Sequence, residues 1–146
     1  KEIFKLSGSS IVTVKKEIDG FILNRLQGAL LNEAMRLYSE GYASSEDIDA
    51  TIKDGLGLRW AFMGPFETID LNAPGGIKDY MARYGAIFKE MAKTQTKIPD
   101  WSEDAGNKLD LERRKVLSKD DLEKRAKKRN FLLKQLRRLK IESDEI

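Results

Sequence analysis

The stretch Asp19-Gly20-Phe21-Ile22-Leu23-Asn24-Arg25-Leu26-Gln27-Gly28-Ala29-Leu30-Leu31-Asn32-Glu33-Ala34-Met35-Arg36-Leu37-Tyr38-Ser39-Glu40-Gly41 decides the fold. Ile22, Leu26, Ala29, Leu30, Leu37 and Tyr38 recur at helical spacing, while Asn24, Arg25, Gln27, Asn32 and Arg36 take other positions. Asp19 is suited to cap the start of this helix, and Gly41 is suited to end it in the left-handed conformation. About 20 residues at 1.5 Å each span roughly 30 Å, enough to cross a small domain. The stretch therefore predicts a central helix.

Upstream, Ile11-Val12-Thr13-Val14 is the one β-branched concentration, and Gly8-Ser9-Ser10 reads as a turn before it. One short strand or extended arm is expected there. Downstream, Ser44-Ser45-Glu46-Asp47 opens a short helix containing Ile48, Ala50, Thr51 and Ile52, with glycines at its exit. Gly55-Leu56-Gly57-Leu58-Arg59-Trp60-Ala61-Phe62-Met63-Gly64-Pro65 then reads as a glycine-rich loop, with Pro65 in the first turn of a helix through Phe66, Ile69 and Leu71. After a break at Asn72-Ala73-Pro74-Gly75-Gly76, the spacing of Ile77, Tyr80, Met81, Tyr84, Ile87, Phe88 and Met91 predicts a helix to about Lys93. A loop holding Pro99 follows. Helices near Ser102 to Val116 and Ser118 to Ile141 complete an all-α pattern, the last opened by the capping box Ser118-Lys119-Asp120-Asp121.

Composition narrows the chemistry. The 146 residues include no histidine and no cysteine. A zinc finger, a catalytic triad, a thiol nucleophile, an imidazole base and a disulfide framework are thereby excluded within this chain. Hydrophobic residues make up 40%, which predicts one domain around a single core, and no apolar run approaches the roughly 20 residues of a membrane span. Neither a membrane helix nor a signal peptide is expected. The chain opens on Lys1 rather than Met, so a piece or processed product of a longer protein is expected.

Residues 1–100 carry 13 basic and 14 acidic side chains, and residues 101–146 carry 14 and 10. The surplus lies in the last helix, where Lys124, Arg125, Lys127, Lys128, Arg129, Lys134, Arg137, Arg138 and Lys140 occur without an intervening acid. A basic helix is able to follow phosphates, so a nucleic-acid binder is one reading. The plainer reading is a packing stripe of Leu122, Ala126, Leu133, Leu136 and Leu139 with Lys and Arg solvating the rest. No recognition motif or stacking platform accompanies the charges, so nucleic acid is not expected as a partner.

Asn24, Arg59 and Trp60 are the candidate site residues. Asn24 either reaches solvent or, with both donor and acceptor, holds a reacting oxygen and aligns a base supplied from elsewhere. Arg59 either forms an internal salt bridge or offers its guanidinium fork to a carboxylate. Trp60 either joins the core or borders the same pocket. Glu33 and Glu67 are acids without an evident partner. Gly55-Leu56-Gly57 lacks a preceding strand and a third glycine, so it is no dinucleotide fingerprint.

The run Lys15 to Gln27, followed by Glu33-Ala34, Glu40-Gly41, Asp47-Ile48-Asp49, Gly55, Gly57 and Gly64-Pro65-Phe66, resembles the C-terminal domain of the 3-hydroxyacyl-CoA dehydrogenase family. The resemblance spans roughly residues 8–101, with residues 102–146 as a helical extension. Arg59 within Gly57 to Pro65, together with Leu71-Asn72-Ala73 and Ile98-Pro99-Asp100-Trp101, is similar to the lambda-crystallin or L-gulonate 3-dehydrogenase branch; Gly75-Gly76 fits carnitine dehydrogenases about as well.

The resemblance implies a multi-helix bundle with a long central helix and a short N-terminal extended arm, acting in substrate binding and dimerisation. It implies a cytoplasmic homodimer whose NAD, catalytic His–Glu pair and Ser belong to an N-terminal Rossmann domain absent from this chain. The 146 residues alone are expected to be inactive. Asn24 takes the place of the family's base-orienting Asn, and Arg59 that of the branch's arginine, facing the carboxylate of a small 3-hydroxy acid. L-Gulonate leads, followed by carnitine and 3-hydroxybutyryl-CoA. A crystallin-like structural or dimerisation module is the non-enzymatic alternative beside the nucleic-acid binder.

Overall fold

Helix α1, Phe21–Ser39, is the predicted central helix. It ends as its glycine dictates. Gly41 takes φ +76°, its N–H donates to the Tyr38 carbonyl at 3.1 Å, and the Tyr42 N–H reaches back to Leu37 at 2.9 Å. These paired bonds make a Schellman motif, which needs the left-handed residue that Gly supplies without a Cβ penalty.

The computed structural model describes residues 11–143, and these are all-α. After α1 come α2 (Ser45–Ala50), a π-helical turn (Thr51–Leu56), α3 (Gly57–Trp60), α4 (Pro65–Leu71), α5 (Gly76–Thr94), α6 (Glu103–Val116) and α7 (Leu122–Ser143). Of the strand or extended arm expected at Ile11-Val12-Thr13-Val14, the strand does not form; these residues are exposed and lie outside any helix or strand. β-Branched side chains favour a strand only where a neighbour completes the ladder, and no strand is present among the described residues to do so. The turn expected at Gly8-Ser9-Ser10 lies outside the described residues.

The chain divides into two compact units. One comprises Gly28–Asp110, and the other joins the segment ending at Gln27 to the segment beginning at Leu111.

In the first unit, an ion-pair network stiffens the second half of α1. The Arg36 guanidinium donates to both Glu33 oxygens, at 2.5 and 2.9 Å, and to Glu40 at 3.1 Å, and it lies 5.8 Å from the Tyr42 ring centroid. The loop after α5 ties back to the same helix. Lys97 reaches Glu40 at 3.7 Å, and the Trp101 indole N–H donates to Asn32 Oδ1 at 3.1 Å. The connection from α4 to α5 is fixed from both sides: Asp70 accepts the Ile77 N–H at 2.7 Å and Asp79 accepts the Gly75 N–H at 3.1 Å. Gly76 here has φ +71°, and a Cβ on it would stand 2.8 Å from Asp70 Oδ1, so a larger residue would be strained there and would displace the Asp70 carboxylate. Ala73, whose carbonyl accepts the Gly76 N–H at 2.9 Å, is buried.

In the second unit, Ser118 and Asp121 form the expected reciprocal box, with the Asp121 N–H on Ser118 Oγ at 3.2 Å and the Ser118 hydroxyl on Asp121 at 2.9 Å. The regular helix then begins at Leu122, later than the expected Ser118 start. Leu117, Leu122, Ala126, Leu132 and Leu133, together with Arg125, Lys128 and Arg129, line an open groove of about 720 Å³.

Of the expected core, few residues are buried among those described. Met35 and Ala73 are the buried apolar residues among those described, while Phe21, Leu23, Leu26, Phe66, Ile87, Phe131 and Leu133 are exposed. Among the described residues no helix is long and apolar enough to cross a membrane.

Candidate functional site

Asn24 stands at the start of α1, and its presentation begins with a turn. The Phe21 N–H donates to the Ile18 carbonyl at 3.1 Å, closing a four-residue turn with Gly20, at φ +80°, in its third position. A turn with positive φ there demands glycine or its near equivalents. Phe21 follows at φ +50°, a left-handed conformation that costs a bulky L-residue about 1–2 kcal/mol. The entry to α1 is thus a strained turn rather than the expected Asp19 cap; Asp19 makes no side-chain hydrogen bond among the described residues. The helix it launches presents Asn24 to solvent, with no partner on its amide among the described residues. An exposed amide in this position offers one donor pair and one acceptor to an incoming oxygen.

Arg59 is not in a loop. Ser44 caps α2, its Oγ accepting the Asp47 N–H at 3.1 Å, and from Ser45 the chain is helical without interruption to Trp60. The predicted break at Gly55 and Gly57 fails because both glycines hold ordinary negative φ; Gly57 is at −64°. Glycine in a helix interior costs about 1 kcal/mol relative to Ala, which weakens a helix without ending it. The π turn at Thr51–Leu56 accommodates them: the Gly57 N–H donates five residues back to Ile52. A Cβ on Gly57 would lie 2.9 Å from that same Ile52 oxygen, whereas one on Gly55 would meet nothing within 4 Å.

The Arg59 side chain is exposed and has no ion-pair or hydrogen-bond partner among the described residues, so the internal salt bridge does not form. Its backbone carbonyl accepts from the Phe62 and Met63 N–H groups, both at 3.1 Å, which closes the segment before the Gly64-Pro65 turn. Trp60 is 39% exposed. Consecutive helical residues leave the axis about 100° apart, so Arg59 and Trp60 share a turn without sharing a face. Asn24 belongs to one compact unit and Arg59 and Trp60 to the other.

Glu33, an acid without an evident partner in the sequence, is the principal partner of Arg36. That hydrogen bond holds the Glu33 carboxyl below its ordinary range and, reciprocally, pushes the Arg36 guanidinium up. A carboxylate so engaged is structural rather than a proton shuttle. Glu67 sits exposed in the first turn of α4, where a negative charge suits the helix N-terminus.

Sequence reasoning passed over two features. Asn32 and Trp101, 69 residues apart, carried no local signal of their hydrogen bond. The second did carry a signal: Ile48, Ile52, Leu56 and Trp60 recur every four residues, straight through the supposed helix exit.

Comparison with known proteins gives a consistent picture. Residues 20–119 match the family described as 3-hydroxyacyl-CoA dehydrogenase, C-terminal domain. Lambda-crystallin of Oryctolagus cuniculus is 44% identical over 135 residues, covering 91% of this chain and 42% of that protein. A lambda-crystallin homolog of Rattus norvegicus is 49% identical over 98 residues, 67% of this chain and 30% of its own length. The L-carnitine dehydrogenase of Streptomyces coelicolor is 41% identical over 87 residues, 59% of this chain and 27% of that enzyme. The chain spans about two-fifths or less of the length of these relatives.

Proposed function

Because this chain belongs to the 3-hydroxyacyl-CoA dehydrogenase family as its C-terminal domain, we propose that it is the substrate-side and dimerising half of a longer, NAD-dependent dehydrogenase of small 3-hydroxy acids. The observation that carries this reading is the family match over residues 20–119 with Asn24 and Arg59 both exposed and unpaired inside it. Two polar groups that the fold leaves unused are groups available to a substrate. Asn24 would hold the 3-hydroxyl oxygen and align a base supplied from outside this chain, and Arg59 would pair its fork with the substrate carboxylate.

The described residues do not fit NAD. Gly55-Leu56-Gly57 lies inside a continuous helix rather than in a strand-to-helix turn, and no strand precedes it among the described residues. On this reading the dinucleotide would be held by a domain outside this chain, and the isolated 146 residues should not reduce NAD.

L-Gulonate is the favoured substrate, on the strength of the lambda-crystallin relatives and the free carboxylate that Arg59 would meet. L-Carnitine is the second reading, favoured by the Streptomyces relative and by the partly exposed Trp60 indole, since an aromatic face attracts a quaternary ammonium. Dimerisation is supported by the exposed apolar side chains of α1 and α5, which a second copy would cover.

The full-length protein assayed with NAD on L-gulonate, L-carnitine and 3-hydroxybutyryl-CoA side by side tests the reading. The highest kcat/KM is expected on L-gulonate. A preference for the acyl-CoA, with no turnover of either free hydroxy acid, would overturn the role given to Arg59. Sedimentation of the chain should give a dimer, and a monomer at high concentration would contradict that part.

A further inference from the structure

The segment Ser45–Trp60 is one helical run with an apolar stripe at Ile48, Ile52, Leu56 and Trp60. The spacing is four residues at each step. In a regular α-helix an interval of four overshoots a full turn by about 40°, so three such intervals carry Trp60 about 120° around the axis from Ile48. The face would be lost. By the same geometry Arg59, eleven residues after Ile48, would return to within about 20° of it and point into the stripe.

The π turn at Thr51–Leu56 reverses that outcome. A π turn takes up one extra residue, so every residue beyond it falls back by about 100°. Trp60 then lies about 20° from Ile48, and Arg59 about 80° to the other side. Burial follows this arrangement as far as Leu56: Ser45 is buried, Ile48, Ile52 and Leu56 are half-buried, Glu46, Asp47, Lys53, Asp54, Leu58 and Arg59 are exposed, and Trp60, at 39%, lies at the open end of the stripe. The turn closes through the Gly57 N–H to the Ile52 carbonyl, at a position where a Cβ would stand 2.9 Å from that oxygen.

We infer that the π turn is the device that keeps Arg59 off the apolar face and presents its guanidinium to the substrate carboxylate, with Gly57 and the stripe residue Leu56 as positioning residues. This deepens the proposed function and rests on Arg59 being the carboxylate partner. The π turn sets the rotational register of its helix. Register, rather than helix content, decides whether the cation is available.

The test uses the full-length protein and steady-state kinetics on L-gulonate with NAD. Arg59→Ala comes first and is expected to raise KM about 10-fold or more; an unchanged KM would overturn the carboxylate reading and this inference with it. Deleting Asp54 removes the extra residue, heals the π turn into an α turn and keeps the register, so KM should stay within about 3-fold of the parent. Inserting one Ala between Asp54 and Gly55 carries Arg59 onto the face Trp60 now holds, so KM should rise as far as in Arg59→Ala while kcat changes less.

A role confined to helix integrity predicts that deletion and insertion act alike. If they do so while Arg59→Ala raises KM, the register inference falls and the carboxylate reading survives. Should either length variant fail to fold, Leu56→Met and Leu56→Asp decide. Met keeps the stripe and should keep KM, whereas Asp breaks it and should raise KM; equal KM in the two would overturn the inference.

Discussion

Asn24 and Arg59 reach solvent by opposite means. Asn24 rides on a helix launched by two successive left-handed residues, Gly20 and Phe21, so its presentation is set by local backbone strain at the helix entry. Arg59 has no unusual φ anywhere near it, and its presentation is set by a count of residues in the π turn. The first mechanism fixes a direction at one point. The second fixes a rotation over sixteen residues, and it is sensitive to length where the first is sensitive to side-chain size.

The largest effect should come from the amide. Asn24→Ala in the full-length protein is expected to lower kcat by about 10²–10³, with KM changing far less, as for other oriented donors that act at the reacting centre. Arg59→Ala should act mainly on KM, by about 10- to 100-fold, the value of a lost charge-assisted hydrogen bond of about 1.5–3 kcal/mol. Steady-state kinetics on a carboxylate substrate separates the two. If both variants moved the same parameter, the division of labour between the two positions would be wrong.

A third prediction concerns the scaffold. Glu33 is held below its ordinary range, chiefly by its hydrogen bond to Arg36. A depressed folded value contributes stability above the unfolded-state pKa, and that contribution disappears as pH falls through the folded one. Thermal unfolding followed against pH should therefore show Tm flat around neutrality and falling below the ordinary glutamate range. Arg36→Ala should lower Tm at neutral pH and make the acid limb shallower, since Glu33 then titrates alike in both states. An unchanged acid limb would show that this pair does not hold the second half of α1.

The smallest effects are the most specific to the π turn. Gly55→Ala should stabilise the chain by up to about 1 kcal/mol, because its Cβ meets nothing and Ala is the better helix former. Gly57→Ala gains the same propensity but places its Cβ against the Ile52 carbonyl, so it should destabilise the chain. Denaturant unfolding of the two variants gives opposite signs if the π turn is populated in solution.

The helices were legible wherever apolar spacing and punctuation agreed. The Gly41 stop, the Ser44 cap, Pro65 in its first turn and the aromatic repeat of α5 all came through, since each is a local device. The reading went astray where two local signals competed. Gly55 and Gly57 pointed to a helix exit and the four-residue stripe from Ile48 to Trp60 pointed to continuation; the stripe won, because burying apolar side chains outweighs the roughly 1 kcal/mol that each glycine costs. Ile11 to Val14 pointed to a strand or an extended arm, and among the described residues no strand is present to pair with them.

Of the candidate site, the residue types were legible and their geometry was not. Asn24 and Arg59 could be picked out by chemistry and by resemblance, but the left-handed Phe21 leaves no mark in composition, and the Arg36–Glu33–Glu40 network depends on rotamers that spacing does not fix.

The two indoles give this chain a way to report on itself. Trp101 is engaged by Asn32, while Trp60 sits on the stripe that the π turn keeps in line. With Trp101 replaced by Phe, the emission colour of Trp60 would read the rotational setting of its helix directly: bluer when it rests on hydrocarbon, redder when an added residue turns it toward water. The register could then be watched in light, with no substrate, no cofactor and no second domain in the cuvette.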